Sequence, residues 1–252
     1  WAVAAEGIMT TDTLPKGYSK QVQIGGATVT ITGISKGAGM IKPNMATMLG
    51  VITTDAVVAP ERLERALRAA VARSFNRISV DGDMSTNDTV LVLASGAAGG
   101  PAITTTDGPD YWTLVDAMTS VCASLARQMA SDAEGATKLA TIRVTGARTD
   151  AQAAQAARAV ASSQLVQCSL NGEDPYWGRV LSELGASGAS IDQERVTISY
   201  GGHVVCEQGI EAAHDADAVR AVMAAREIGI HADLGLGQGE AEVLFTDLSY
   251  AY

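Results

Sequence analysis

The chain has 252 residues, 47% hydrophobic and 18% charged, with 18 basic against 28 acidic side chains and a formal net charge of −10. At roughly 150 residues per domain, that length means one large domain or two modest ones, able to bury a core without disulfides or metals. The acidic balance disfavours nucleic acid as a partner, no apolar run reaches membrane-spanning length, and the residues before Ile8 do not form a signal peptide. Cys122, Cys168 and Cys206 have no CxxC spacing and an odd total, which argues against a disulfide framework or a zinc ribbon and for a reducing, cytoplasmic setting. The chain opens on Trp1 rather than methionine, which suggests a piece of something longer.

Up to residue 33 the sequence reads as short strands. Residues 21–24 and 27–31 alternate apolar and polar, and Gly25-Gly26 between them is a hairpin signal. A glycine-rich loop at 36–40 follows, then Pro43-Asn44 and a nearly continuous apolar run over 45–52, the pattern of a strand buried on both faces. Pro60 suits a first helical turn, and Leu63, Leu67, Ala70, Val71 and Phe75 continue at helical spacing. Residues 89–94 read as a strand, and Leu114, Val115, Met118, Val121, Cys122, Leu125 and Met129 mark a long amphipathic helix over 110–129.

Beyond a strand at 142–144 the composition shifts near Gly146, and Thr149-x-x-Gln152 starts an alanine-rich helix as a capping box. A short strand is expected at 165–170 and a helix around Trp177, Val180, Leu181 and Leu184. Residues 196–198 and 204–205 pair across Gly201-Gly202, a helix covers 215–225, and strands at 228–234 and 241–245 close the chain. The pattern predicts an α/β protein with mixed sheets and two domains, 1–146 and 147–252.

The common catalytic templates are missing. There is no GxxxxGK[ST] loop and no GxSxG elbow, and Gly235, Gly237 and Gly239 lack the spacing and context of a dinucleotide site. His203, His214 and His231 lie far apart and read as surface or partly buried residues, while the cysteines read as packing. The segment 36–55, KGAGMIKPNMATMLGVITTD, is the exception. Gly37 and Gly39 permit close backbone approach around an anion or oxyanion. Thr47 is a hydroxyl inside an apolar run, and pattern alone accounts for it as a buried strand threonine. Polar clusters at 10–12, 81–89 and 132–138 read as loops, the second as a turn at the mouth of a site. That second cluster lacks the sixth-place glycine and twelfth-place glutamate of a calcium loop. Glu134, between a helix end and a strand, reads by itself as a solvated carboxylate.

Six stretches together carry a resemblance: IMTTDTLPK at 8–16, KGAGMIKPNMATML at 36–49, FNRISVDGDMSTNDT at 75–89, EGATK at 134–138, DPYWGR at 174–179 and TDLSY at 246–250. Ordered over the whole chain, they closely resemble the ornithine acetyltransferase family, the bifunctional glutamate N-acetyltransferases of the cyclic arginine pathway. The resemblance implies an α/β fold of layered sheets and helices, with a nucleophile-bearing domain followed by a smaller C-terminal α/β domain. It implies self-cleavage between Ala46 and Thr47, after which the Thr47 hydroxyl is the nucleophile and its freed α-amine the base.

Acetyl would then pass from N-acetylornithine to Thr47 and on to glutamate, with no metal or organic cofactor. Acetyl-CoA stays open as a further donor. Thr10, Lys36, Thr47 and Glu134 match the family's substrate-contacting positions, with Lys36 assigned to a substrate carboxylate and Glu134 to the ornithine ammonium. The implied partners are these small molecules and the two segments of one precursor, assembled as a heterotetramer of two α and two β segments, without nucleic acid or membrane.

The family also extends beyond both ends of this sequence, so the piece alone is expected to be inactive. Gln167 stands where a lysine is usual, and Tyr176 where an asparagine is. The rival readings are an N-terminal-threonine aminopeptidase or amidohydrolase, and an uncut, non-enzymatic relative.

Overall fold

Strands and helices alternate irregularly along the chain, and the computed structural model describes residues 1–42 and 48–252. In order they are α1 (Ala2–Gly7), β1 (Lys16–Ile24), β2 (Ala27–Lys36), β3 (Leu49–Thr54), α2 (Pro60–Ala72), β4 (Ile78–Ser79), β5 (Thr89–Ala94) and α3 (Pro109–Ser131). Then come β6 (Leu139–Ala147), α4 (Asp150–Ala161), α5 (Gln164–Asn171), α6 (Trp177–Ala186), β7 (Thr197–Tyr200), β8 (His203–Glu207), β9 (Ile210–Glu211), α7 (Ala216–Ala224), β10 (Glu227–Asp233) and β11 (Gly239–Thr246). Two units result, one of residues 1–77 and 84–132, the other of residues 78–83 and 133–252. The division anticipated near residue 146 falls at the end of β6, inside the second unit, because β6 is paired to β10 and β11. No helix among the described residues is long and apolar enough to cross a membrane.

The first unit is a sheet in the order β1-β2-β3-β5, antiparallel except for the parallel β3–β5 pair. The expected hairpin is its first pair, turning at Gly25 and Gly26, both at positive φ. One face of the hairpin is a polar ladder between strand neighbours: Ser19 with Thr32 at 2.8 Å, Gln21 with Thr30 at 3.3 Å and Gln23 with Thr28 at 2.8 Å. Such cross-strand pairs fix register on a polar face. The opposite face carries Val29 and Ile31, and α3 packs on β1 and β2.

Leu114, Met118, Val121, Leu125 and Met129 of α3 are fully buried, as their spacing predicts. α2 begins with Pro60 in its first turn and buries Leu63, Ala66 and Ala70. Two expectations are corrected: residues 2–7, rich in the strong helix former alanine, make a short helix rather than a strand, and the run read over 45–52 as a strand buried on both faces is β3 at 49–54, where burial alternates and Leu49 is exposed, residues 43–47 lying outside the described residues.

The second unit is a sheet in the order β4-β11-β6-β10-β7-β8-β9, parallel at β4–β11 and β6–β10. Alanines 153, 154, 156, 157 and 161 let α4 lie close on β6 and β11, and the Thr149 hydroxyl caps the helix by accepting the Gln152 N–H at 3.2 Å. The strand expected at 165–170 is helical. Ser163 caps α5 by accepting the Val166 N–H, and Val166 and Leu170 point inward one turn apart. This phase turns Leu165 and Cys168 outward, so Cys168 is exposed rather than packed, whereas Cys122 and Cys206 are buried. Burial pushes the Cys122 thiol up to about 12, consistent with packing rather than reactivity.

Packing leaves no room for a side chain at Gly33. A Cβ there would come within 2.6 Å of Ile52 Cδ1 and 2.9 Å of both Leu125 Cδ1 and Val121 Cγ1. Gly33→Val is therefore expected to destabilise the protein by about 1–3 kcal/mol through overpacking. Denaturant unfolding checks this, and an unchanged midpoint would contradict it.

Candidate functional site

Two of the sequence-derived site residues come together in the first unit. Lys36 ends β2, is buried, and its Nζ donates to the Thr10 hydroxyl at 3.4 Å across 26 residues of sequence. Among the described residues no carboxylate forms an ion pair with Lys36, although Asp88 feels its charge. Ala46 and Thr47 lie outside the described residues. Glu134 is in the second unit, exposed, in a turn at 133–136 that is closed by the Ala136 N–H on the Ala133 carbonyl at 3.1 Å.

The Thr10–Lys36 geometry is set by Lys16, which sequence reasoning did not single out as a charge, together with Asp12 and Asp132 of the polar clusters at 10–12 and 132–138. Lys16, at the start of β1, is 1% exposed, and its Nζ lies 2.6 Å from Asp12 Oδ1 and 2.6 Å from Asp132 Oδ2. Asp12 accepts in addition from the Thr10 N–H at 3.2 Å and the Gly37 N–H at 2.6 Å. Asp132, just past α3, accepts from the Thr13 N–H and hydroxyl and from the Leu14 N–H. One buried ammonium thus ties the 10–16 loop to the end of β2 and the end of α3.

Gly37 has φ +144°, and a Cβ there would meet Met129 Cε at 3.0 Å and Ile41 Cδ1 at 3.2 Å. Glycine is therefore required, but its N–H is engaged by Asp12 and is not a free donor for an oxyanion. Immediately beyond the undescribed residues, Met48 is held through its N–H on Asp88 Oδ1 at 2.6 Å and its carbonyl on the Thr89 N–H at 3.0 Å.

In the second unit, the EGATK and TDLSY stretches meet. Asp247, 2% exposed, accepts from the backbone N–H groups of Thr137 and Lys138, both at 2.8 Å, from the Thr137 hydroxyl and from Asn171 Nδ2. Ser249 donates its hydroxyl to the Gly135 carbonyl at 2.6 Å. The residues that follow Glu134 are thereby fixed to the 247–249 segment.

The two departures are structural in character. Gln167 is fully buried and donates to the carbonyls of Val80 and Thr246, a neutral tie between β11 and the segment after β4. Tyr176 is half exposed at the start of α6, against the Trp177 ring. The three histidines are exposed.

Burial pushes the Asp12 and Asp132 carboxyls up, but hydrogen bonds from Lys16 and from the loop outweigh it and hold both below the ordinary 3.8. Their contribution to stability is complete above that ordinary value and is lost as pH falls through the lower folded one. Lys16→Met leaves two carboxylates facing no cation, and is expected to cost about 3–5 kcal/mol at neutral pH. Stability of the wild type should fall as pH drops below about 4, and that of Lys16→Met should fall less. Unfolding curves between pH 3 and pH 7 test both points, and parallel curves would contradict them.

The ArgJ family model matches residues 2–252. The arginine biosynthesis bifunctional protein ArgJ of Symbiobacterium thermophilum is 51% identical over the whole chain, and that of Pseudomonas syringae 44% identical. The chain spans 62% and 63% of the lengths of these two curated relatives. The crystal structure of the arginine biosynthesis bifunctional protein ArgJ from Bacillus halodurans superposes with a TM-score of 0.76 and 37% identity, covering 79% of this chain and 93% of that one. A full-chain family match, relatives above 40% identity and a common fold lead to one conclusion: the chain belongs to the ArgJ family.

Proposed function

We propose that the protein carrying this chain cleaves itself between Ala46 and Thr47, then uses Thr47 to carry an acetyl group from N-acetylornithine to glutamate. The observation that carries this reading is the family match over residues 2–252, in a sequence that has Ala46-Thr47, Thr10, Lys36 and Glu134 within the matching stretches.

For cleavage, the Thr47 hydroxyl oxygen adds to the Ala46 carbonyl carbon, the C–N bond breaks, and the nitrogen takes the proton. Water hydrolyses the resulting ester, leaving Ala46 as a carboxylate and Thr47 with both its hydroxyl and a free α-amine. A threonine hydroxyl is a weak nucleophile without an adjacent base. An α-amine with an unperturbed pKa of about 7.7–8.0 is nearly matched to neutral pH.

In the transfer, the Thr47 oxygen attacks the acetyl carbonyl of acetylornithine, and the departing ornithine amine takes the proton that the α-amine removed. The amine of glutamate then attacks the acetyl ester and regenerates the hydroxyl. No metal or organic cofactor is required, because acetyl moves directly through the ester. Lys36, a buried cation with a hydroxyl partner, suits a substrate carboxylate. Glu134, exposed on a turn held by Asp247 and Ser249, suits the ornithine ammonium. The assembly is proposed as two α and two β segments in the cytoplasm, with the chain alone inactive.

The test uses the protein in its natural length, supplied with acetylornithine and glutamate. N-acetylglutamate should form, Thr47→Ala should abolish it, and Glu134→Lys should raise the KM for acetylornithine about tenfold or more with cleavage intact. Acetate release without N-acetylglutamate would instead indicate a hydrolase, and equal loss of cleavage and transfer in Glu134→Lys would refute its assignment. Acetyl-CoA in place of acetylornithine tests the second donor in the same assay.

A further inference from the structure

Lys36 is a buried ammonium whose one hydrogen bond among the described residues, to the Thr10 hydroxyl, is long at 3.4 Å. An ammonium has three donors, so this one can still bind an anion, provided that it and Thr10 keep their places. Both are held through the backbone, and a single carboxylate holds both ends. Asp12, its side chain fully buried, accepts the Thr10 N–H on Oδ2 at 3.2 Å and the Gly37 N–H on Oδ1 at 2.6 Å. Gly37 directly follows Lys36 and stands at φ +144°. Lys16 completes Oδ1 at 2.6 Å. Asp132, the other carboxylate on Lys16, bonds Thr13 and Leu14 instead.

Resting on the acetyl-transfer reading above, in which Lys36 meets a substrate carboxylate, we propose that Asp12 is the positioning residue that makes the protein select acetyl donors with a carboxylate beside the acetylamino group. Asp12 touches no substrate. By fixing the Thr10 and Gly37 backbones to one side chain, it keeps the Lys36 ammonium and the Thr10 hydroxyl together as one anion-binding pair. Released at either end, the pair loses its grip on the carboxylate while the acyl-transfer chemistry is untouched.

Burial pushes the Asp12 carboxyl up, but the hydrogen bonds from Lys16, Gly37 and Thr10 outweigh it, so the group is ionised at neutral pH and both oxygens accept. Asparagine has the same shape but only one accepting oxygen. Asp12→Asn must therefore release either the Thr10 end or the Gly37 end.

The experiment measures kcat/KM for acetylornithine and for N-acetylputrescine, the same molecule without its carboxylate, in the natural-length protein with glutamate as acceptor. The ratio of the two does not depend on how much enzyme is folded, so a loss of stability alone leaves it unchanged. Wild type should prefer acetylornithine about a hundredfold or more. Asp12→Asn should lose about tenfold or more of that preference, through a raised KM for acetylornithine with kcat within about threefold. Lys36→Met should lose the preference too, and the double variant should lose no more than Lys36→Met alone.

If Asp12→Asn does not fold, Asp12→Glu takes its place. It keeps the charge opposite Lys16 but sets the carboxylate one methylene farther out, and the preference should still fall. A selective wild type with an unchanged ratio in the variant overturns this inference alone. A wild type that turns over both donors equally removes the Lys36 assignment and this inference with it, and one without acetyl transfer overturns the whole reading.

Discussion

A buried ammonium between two carboxylates holds the first unit's site together. Lys16 is at 2.6 Å from both Asp12 and Asp132, and those carboxylates in turn accept backbone N–H groups from residues 10, 13, 14 and 37. Desolvating three charges costs several kcal/mol per ion, so the cluster is a poor source of net stability. Its contribution is position. With every acceptor filled, the loop bearing Thr10 and the strand end bearing Lys36 have one mutual arrangement, and their side chains meet at 3.4 Å.

The second unit uses the same device without a cation. Asp247 gathers two backbone N–H groups, a hydroxyl and an amide around one carboxylate, and with Ser249 it fixes the residues that follow Glu134. In each unit a carboxylate remote in sequence collects donors from a short loop, and the loop carries a proposed substrate contact. Catalytic groups set on rigid supports of this kind need little reorganisation when substrate arrives.

Much of the framework was legible from periodicity. The α2 and α3 stripes, the hairpin at Gly25-Gly26 and the Thr149 cap follow from spacing that tertiary contacts only reinforce. Residues 165–170 were misread because a short apolar run is ambiguous, and the deciding signal was the Ser163 cap. The Lys16 cluster was illegible for a different reason: its members lie up to 116–120 residues apart, and no local pattern links them. Thr47 could not be told from a strand threonine by pattern, and its proposed role comes from the family resemblance of the stretches around it.

The proposed cleavage makes Thr47 a chain terminus. Denaturing intact mass of the natural-length protein, with N-terminal sequencing of each species, tests it most directly. Two species are expected, the larger beginning at Thr47, and a single species for Thr47→Ala. One uncut wild-type chain with measurable acetyl transfer would contradict it, since the α-amine base would not exist.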